Sequence, residues 1–201
     1  VHALPQQAFV CRCDREVVIL DVRRDRYLAV DAIRHAGLAA LVQDWPACND
    51  DSGSVDAMPT LSLAQSLMSL GVLTQAPQAG KSASPLRAVL GRYECNQASH
   101  ARARTFFEVL TATVTASLIL RWLPFEQVVA RVSRRHKHPH APSSTGELCD
   151  LVGQFQYAHS WLFSSVRRCL HESLALLEFL ARHRHYPRWI FGVHTAPFAA
   201  H

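Results

Sequence analysis

The sequence predicts an α+β fold, with a small sheet followed by a longer helical region. Three short runs rich in Val, Ile and Tyr crowd residues 8–31, which suits strands. From about residue 98 the apolar residues recur at helical spacing instead. Between the two regimes lies TQAPQAGKSASPL (74–86), a linker by composition. Two units follow, one over 1–75 and one over 85–201.

In the first unit the runs AFVCRC, EVVILDV and RYLAVD are separated by Asp14-Arg15 and Arg23-Arg24-Asp25. Such short polar breaks suit hairpins, so a three-stranded antiparallel meander is expected. AIRHAGLAALVQDW (32–45) places Ile33, Leu38, Leu41, Val42 and Trp45 near helical spacing, and Pro46 ends it. Residues 48–58 are polar and loop-like. LSLAQSLMSLGVL (61–73) predicts a second helix with Leu63, Leu67 and Leu70 on one side, stopped by Gly71.

The second unit opens with a helical region over roughly 98–135, broken at Pro124. Its apolar core VLTATVTASLIL (109–120) holds about 12 residues, whereas a membrane span needs roughly 20. A buried or amphipathic helix is predicted, and no membrane span. RRHKHPHAPSSTG (134–146) reads as a solvated basic loop, and 147–163 as another helix. Ser164-Ser165 then cap VRRCLHESLALLEFLARH. Here Leu170, Leu174, Leu177 and Ala181 form one apolar stripe, with Cys169, Ser173, Leu176 and Leu180 beside it. A helix apolar over so wide a face should be central and buried. Tyr186-Pro187 end it, and WIFGV (189–193) is the expected strand after it.

A net charge of +5 and a pI near 9.1 point to an acidic or polyanionic partner. The six cysteines, Cys11, Cys13, Cys48, Cys95, Cys149 and Cys169, are irregularly spaced, and no pair has the C-x-x-C form of a zinc or redox site. Reduced thiols in the cytosol, and no metal, are expected. The first residue is Val1, and the chain finishes on PFAAH (197–201). Both ends suggest a piece of a longer protein.

Cys169 sits near the start of the buried helix, where unpaired N–H groups and the positive end of the dipole stabilise a thiolate. A cysteine at a helix start with a histidine beyond a following strand is the layout of papain-like and transglutaminase-like hydrolases. His201 is placed to be that histidine. Spacing alone favours a plain core residue for such a cysteine.

The stretch RRCLHESLALLEFLARHRHYPRWIFGVHTAPFAAH (167–201) resembles the C-terminal half of the lasso-peptide B proteins, leader peptidases of microcin J25-type maturation. The resemblance rests on Cys169-Leu170, Ser173-Leu174-Ala175-Leu176, Gly192-Val193, Pro197-Phe198 and His201. It implies Cys169 as nucleophile and His201 as base. It also implies an aspartate on a later strand, which this chain does not reach. The family's helix-ending glycine is replaced within HRHYP.

The strands-then-helices order of the first unit resembles the PqqD-like leader-recognition domain, a small winged helix. The resemblance implies leader binding along Arg26, Tyr27, Leu28, Ala29 and Val30 as an added strand, over a groove lined by Leu63, Leu67 and Leu70. The implied partners are a lasso precursor peptide and an asparagine-synthetase-like, ATP-consuming cyclase. No cofactor of the chain's own is implied, and any ATP effect would act through the cyclase. The rival reading is a non-enzymatic winged-helix DNA-binding regulator, which the basic balance and Arg134-Arg135-Lys137 would allow.

Overall fold

The structure is a computed structural model that describes residues 2–13, 16–31, 38, 41–43, 45, 57–75, 102–136, 145–163, 169–195 and 198–200. It divides into two compact units, Val1–Ala88 with Gly192–Ala200, and Val89–Phe191 with His201.

In the first unit, β1 (Ala8–Cys13), β2 (Glu16–Asp21) and β3 (Arg26–Val30) form an antiparallel sheet in the order β1-β2-β3. The meander expected from the sequence is present. Its register pairs Val10 with Ile19 and Ile19 with Leu28, so these three side chains share a face. That face packs on Ala64 and Leu67 of α1 (Ala57–Ser69), with Leu4, Val30, Val72 and Leu73 in the same core. Each such fully buried aliphatic side chain contributes about 1.5–3 kcal/mol relative to exposure. The helix expected over 32–45 and the loop over 48–58 fall largely outside the described residues, although Leu38, Val42 and Trp45 are buried in this core.

α1 ends as its sequence dictates. Gly71 adopts φ +69°, Val72 N–H reaches Leu67 C=O at 2.9 Å, and Gly71 N–H reaches Met68 C=O at 2.8 Å. This is the paired-bond helix stop that a left-handed residue makes possible. The N-terminal residues are tied down too, with His2 N–H on Leu41 C=O at 2.8 Å and Ala3 N–H on Thr74 C=O at 3.0 Å.

The second unit holds α2 (Ala103–Trp122), α3 (Phe125–His136), α4 (Thr145–Leu162) and α5 (Cys169–Arg182). Pro124 separates α2 from α3, as expected. One core gathers Val109, Ala112 and Ala116 of α2, Val128 and Val132 of α3, Phe155 and Ala158 of α4, and Leu174, Ala175 and Phe179 of α5. α2 lies against each of the other three helices, and its most extensive contact is with α5. The buried side of α5 differs from the stripes read from the sequence. Leu174, Ala175, Glu178, Phe179 and Leu180 are buried, whereas Leu170 is 39% exposed. The apolar count predicted burial correctly, but three neighbouring helices, rather than leucine spacing, decide which residues face inward. α5 also stops without glycine. Arg184 takes φ +62°, with His185 N–H on Leu180 C=O and Arg184 N–H on Ala181 C=O.

The strand expected over WIFGV is corrected. Trp189 and Phe191 lie in an irregular segment with their rings against each other and against Phe125 of α3. The strand begins only at β4 (Val193–Thr195), which pairs antiparallel with β5 (Phe198–Ala200). Aromatic packing on α3 holds 189–191 where a ladder would otherwise form.

The two helix stops make opposite predictions. Gly71→Ala forces a Cβ into the left-handed region, with Arg24 Nη1 only 3.3 Å from it. It should cost about 1–2 kcal/mol in urea unfolding. Arg184→Gly relieves the same strain and should stabilise by up to about 1 kcal/mol, less the entropy that glycine adds to the unfolded chain.

Candidate functional site

Cys169 is the first residue of α5, its side chain is exposed, and it is a free thiol. Two side-chain hydrogen bonds tie the N-terminal half of α5 to its surroundings. Ser117 of α2 and His171 share a hydrogen bond of 2.7 Å between Oγ and Nε2. Trp189 Nε1 donates to Ser173 Oγ, one turn after Cys169, at 3.2 Å. The segment after α5 therefore runs back along the helix towards its N-terminal turn.

Deeper in the unit, Glu178 is buried and meets Arg135 Nη1 at 2.6 Å and Arg131 Nε at 3.7 Å. His136 Nδ1 donates to Tyr186 C=O at 2.6 Å. These contacts clamp α3 to α5 and to the chain beyond it. Sequence reading missed Glu178, because an acid inside an apolar helix pattern looks like an ordinary surface position. Its signal was the i, i+4 pair Arg131 and Arg135 on a neighbouring amphipathic helix.

His159 of α4 stacks on Phe155 at 5.4 Å and leans on Phe163 at 5.0 Å. Burial pushes its imidazole below the ordinary value of 6.5, with the Glu172 carboxylate opposing and His171 adding to the shift. His159 of α4 thus interacts electrostatically with His171 and Glu172 on the first turn of α5. Among the described residues no group of three or more His, Cys, Asp and Glu side chains is arranged to hold a metal ion. His201, the expected base, lies outside the described residues.

The residues expected to hold a leader fall on two adjoining elements. Arg26, Tyr27, Leu28, Ala29 and Val30 are β3, an edge strand of the sheet. Leu28, Val30, Leu63 and Leu67 share one core cluster, so β3 and α1 meet along this line. Leu70 does not join them. Its side chain is 36% exposed, and its carbonyl accepts hydrogen bonds from Arg24 and from Arg26 Nη2, the latter at 3.0 Å. Both arginines are in turn held by Asp21, 2% exposed, at 3.5 and 3.4 Å. Asp21 and Arg24 were not singled out from the sequence, where DVRRD reads as a polar turn. Burial and the neighbouring Asp25 and Cys11 raise the Tyr27 phenol above its ordinary value.

The pH consequence of His159 can be measured. Its folded pKa is lowered, so protonation favours the unfolded chain. Its contribution is complete above about pH 6.5 and is lost as the pH falls below that value. His159→Phe keeps the ring stacking and removes the titration. Melting temperatures taken between pH 7.5 and 5 should fall less steeply for this variant than for the parent, and parallel profiles would clear His159 of the effect.

No curated protein and no solved structure matches the chain significantly. A family model does, the one described as the transglutaminase-like superfamily, over residues 110–201. That span starts within α2 and includes Cys169, the whole of α5 and the β4–β5 hairpin. Over residues 110–201 the chain is therefore similar to the transglutaminase-like superfamily, a similarity consistent with cysteine-peptidase chemistry.

Proposed function

We propose that the chain is a cytosolic cysteine peptidase that removes the leader from a lasso-peptide precursor. Cys169 is the nucleophile and His201 the general base. The observation that carries this reading is an exposed free thiol at the first turn of a central buried helix, inside the span that matches the transglutaminase-like model. The return of the chain towards that turn at Trp189, 12 residues before His201, supports it.

The reaction follows from the groups present. The imidazole takes the thiol proton, and the thiolate sulfur attacks the peptide carbonyl carbon. Backbone N–H groups at the helix start, that of Cys169 among them, offer hydrogen bonds to the developing oxyanion. The C–N bond breaks, the leaving amine takes the proton from the imidazolium, and water hydrolyses the thioester. A cyclase that consumes ATP then closes the macrolactam on the freed core peptide.

The sheet unit is read as the leader-recognition domain, with winged-helix topology. An edge strand beside an apolar helix suits a peptide added as a further strand: main-chain hydrogen bonds bind, and side-chain pockets select. The Asp21-centred arginine anchor closes one end of the β3–α1 line and so would set the register of the added strand.

Cys169→Ala should abolish leader removal, followed by mass spectrometry of the precursor, while leader affinity stays unchanged. Near-normal cleavage by this variant would sink the peptidase reading. Cys11→Ser and Cys149→Ser should cleave normally. Tyr27→Asp places a charge on the edge strand, and Ala29→Pro removes one of its backbone donors. Tyr27→Asp should weaken leader binding about tenfold or more in fluorescence anisotropy, roughly 1.4 kcal/mol or more. Ala29→Pro should weaken it as well if the lost N–H faces the leader. Unchanged affinity for both variants would put the leader elsewhere.

A further inference from the structure

α2 is apolar on two sides, and among the described residues one of them is packed into the core while the other is exposed. Thr105, Val109, Ala112, Thr113, Ala116 and Ile119 are buried against the other helices. On the opposite side Phe107 is 68% exposed, Leu110 39%, Val114 48%, Leu118 53% and Trp122 75%. At roughly 100° per residue these five fall within a single stripe along about four turns. Scattered apolar residues on a surface are ordinary, but a continuous stripe of this length marks an interaction site. No charged residue interrupts it between Glu108 and Arg121. The same composition makes α2 long and apolar enough to cross a membrane by length and hydropathy, although 33% of its apolar window is buried within the fold.

We infer that this face binds a second copy of the chain, α2 against α2 and antiparallel. The stripe is nearly palindromic about Val114. Leu110 and Leu118 lie four residues to either side, with Phe107 seven before and Trp122 eight after. A two-fold interface demands this property, since each residue must meet the partner of its own partner. Antiparallel pairing through Val114 sets Leu110 on the second copy's Leu118, and Phe107 beside its Arg121 and Trp122. The arginines at the ends fit as well. Arg121 would cover the second copy's Phe107, and Arg104, whose side chain is 87% exposed, would approach its Trp122. Each places a cation on an aromatic face. Parallel pairing would instead set Arg121 on Arg121. The five side chains leave on the order of 500 Å² in water, so pairing removes on the order of 1,000 Å² in total, where specific interfaces begin. Tyr157 and Trp161 of α4, the latter 71% exposed, extend the apolar surface at its edge through the Phe106–Tyr157 ring contact.

The test uses the 201-residue chain. Sedimentation equilibrium from about 1 to 100 μM should show a monomer–dimer equilibrium. The double variant Leu110→Glu, Leu118→Glu should weaken it at least tenfold without loss of far-UV circular dichroism, since both positions are exposed in the fold. In a Cys169→Ala background, Val114→Cys should form a 114–114 disulfide on mild oxidation, identified by mass spectrometry. Leu110→Cys should not link to itself, because antiparallel pairing separates the two copies of residue 110 by about 12 Å. A chain that stays monomeric at 100 μM overturns the inference, whether or not it co-sediments with phosphatidylcholine–phosphatidylglycerol vesicles. So does a dimer indifferent to the glutamates, or self-linking at 110 as fast as at 114.

Discussion

The close approach of α2 and α5 is the contact on which the helical unit depends. Ala112 and Ala116 of α2 and Ala175 of α5 are all fully buried. Small side chains there let the two helices meet with little between them, and Leu174 and Phe179 then fill the space towards α3 and α4. Interiors are packed so densely that a larger side chain at any of these alanines would have to displace a helix. Because α5 is held from three sides, its first turn is a fixed platform. On the proposed reading of Cys169 as nucleophile, such a platform would spare its position from being re-established at each turnover.

The sheet unit has its own organising contact. Asp21, almost fully buried, gathers Arg24 and Arg26, and these arginines then satisfy the carbonyl of Leu70 at the end of α1. A buried carboxylate without partners would be costly. Here its partners also quench an orphan helix carbonyl, so one ion cluster joins the β2–β3 turn, the edge strand and the helix stop. On the proposed reading, an added strand needs an edge that does not slip, and this anchored turn would provide it.

The charge of +5 has a local side in the helical unit. Glu178 is shared by Arg131 and Arg135, so one buried acid answers two bases. The pair fixes α3 on α5 more than it adds stability, since desolvation offsets much of its Coulombic gain. α2 shows the converse economy. Its inner face is committed to the core, and its outer face repeats the same apolar spacing but is exposed among the described residues.

By itself the sequence determined what depends on local chemistry. Period-two runs and short polar breaks gave the meander, Gly71 gave the end of α1, Pro124 gave the α2–α3 break, and the density of leucine gave a buried helix with Cys169 near its start. It also brought Cys169 and His201 into one reading through the pattern around them. Tertiary structure decided what depends on neighbours. Glu178 is inside because two arginines from another helix reach it. Trp189 and Phe191 leave the expected strand because Phe125 offers them an aromatic surface. Arg184 can do a glycine's work because the stop it makes is held by His185 on Leu180. Which side of α2 faces inward could not be read from a helix apolar on both, because only the alanines' fit against α5 breaks that symmetry.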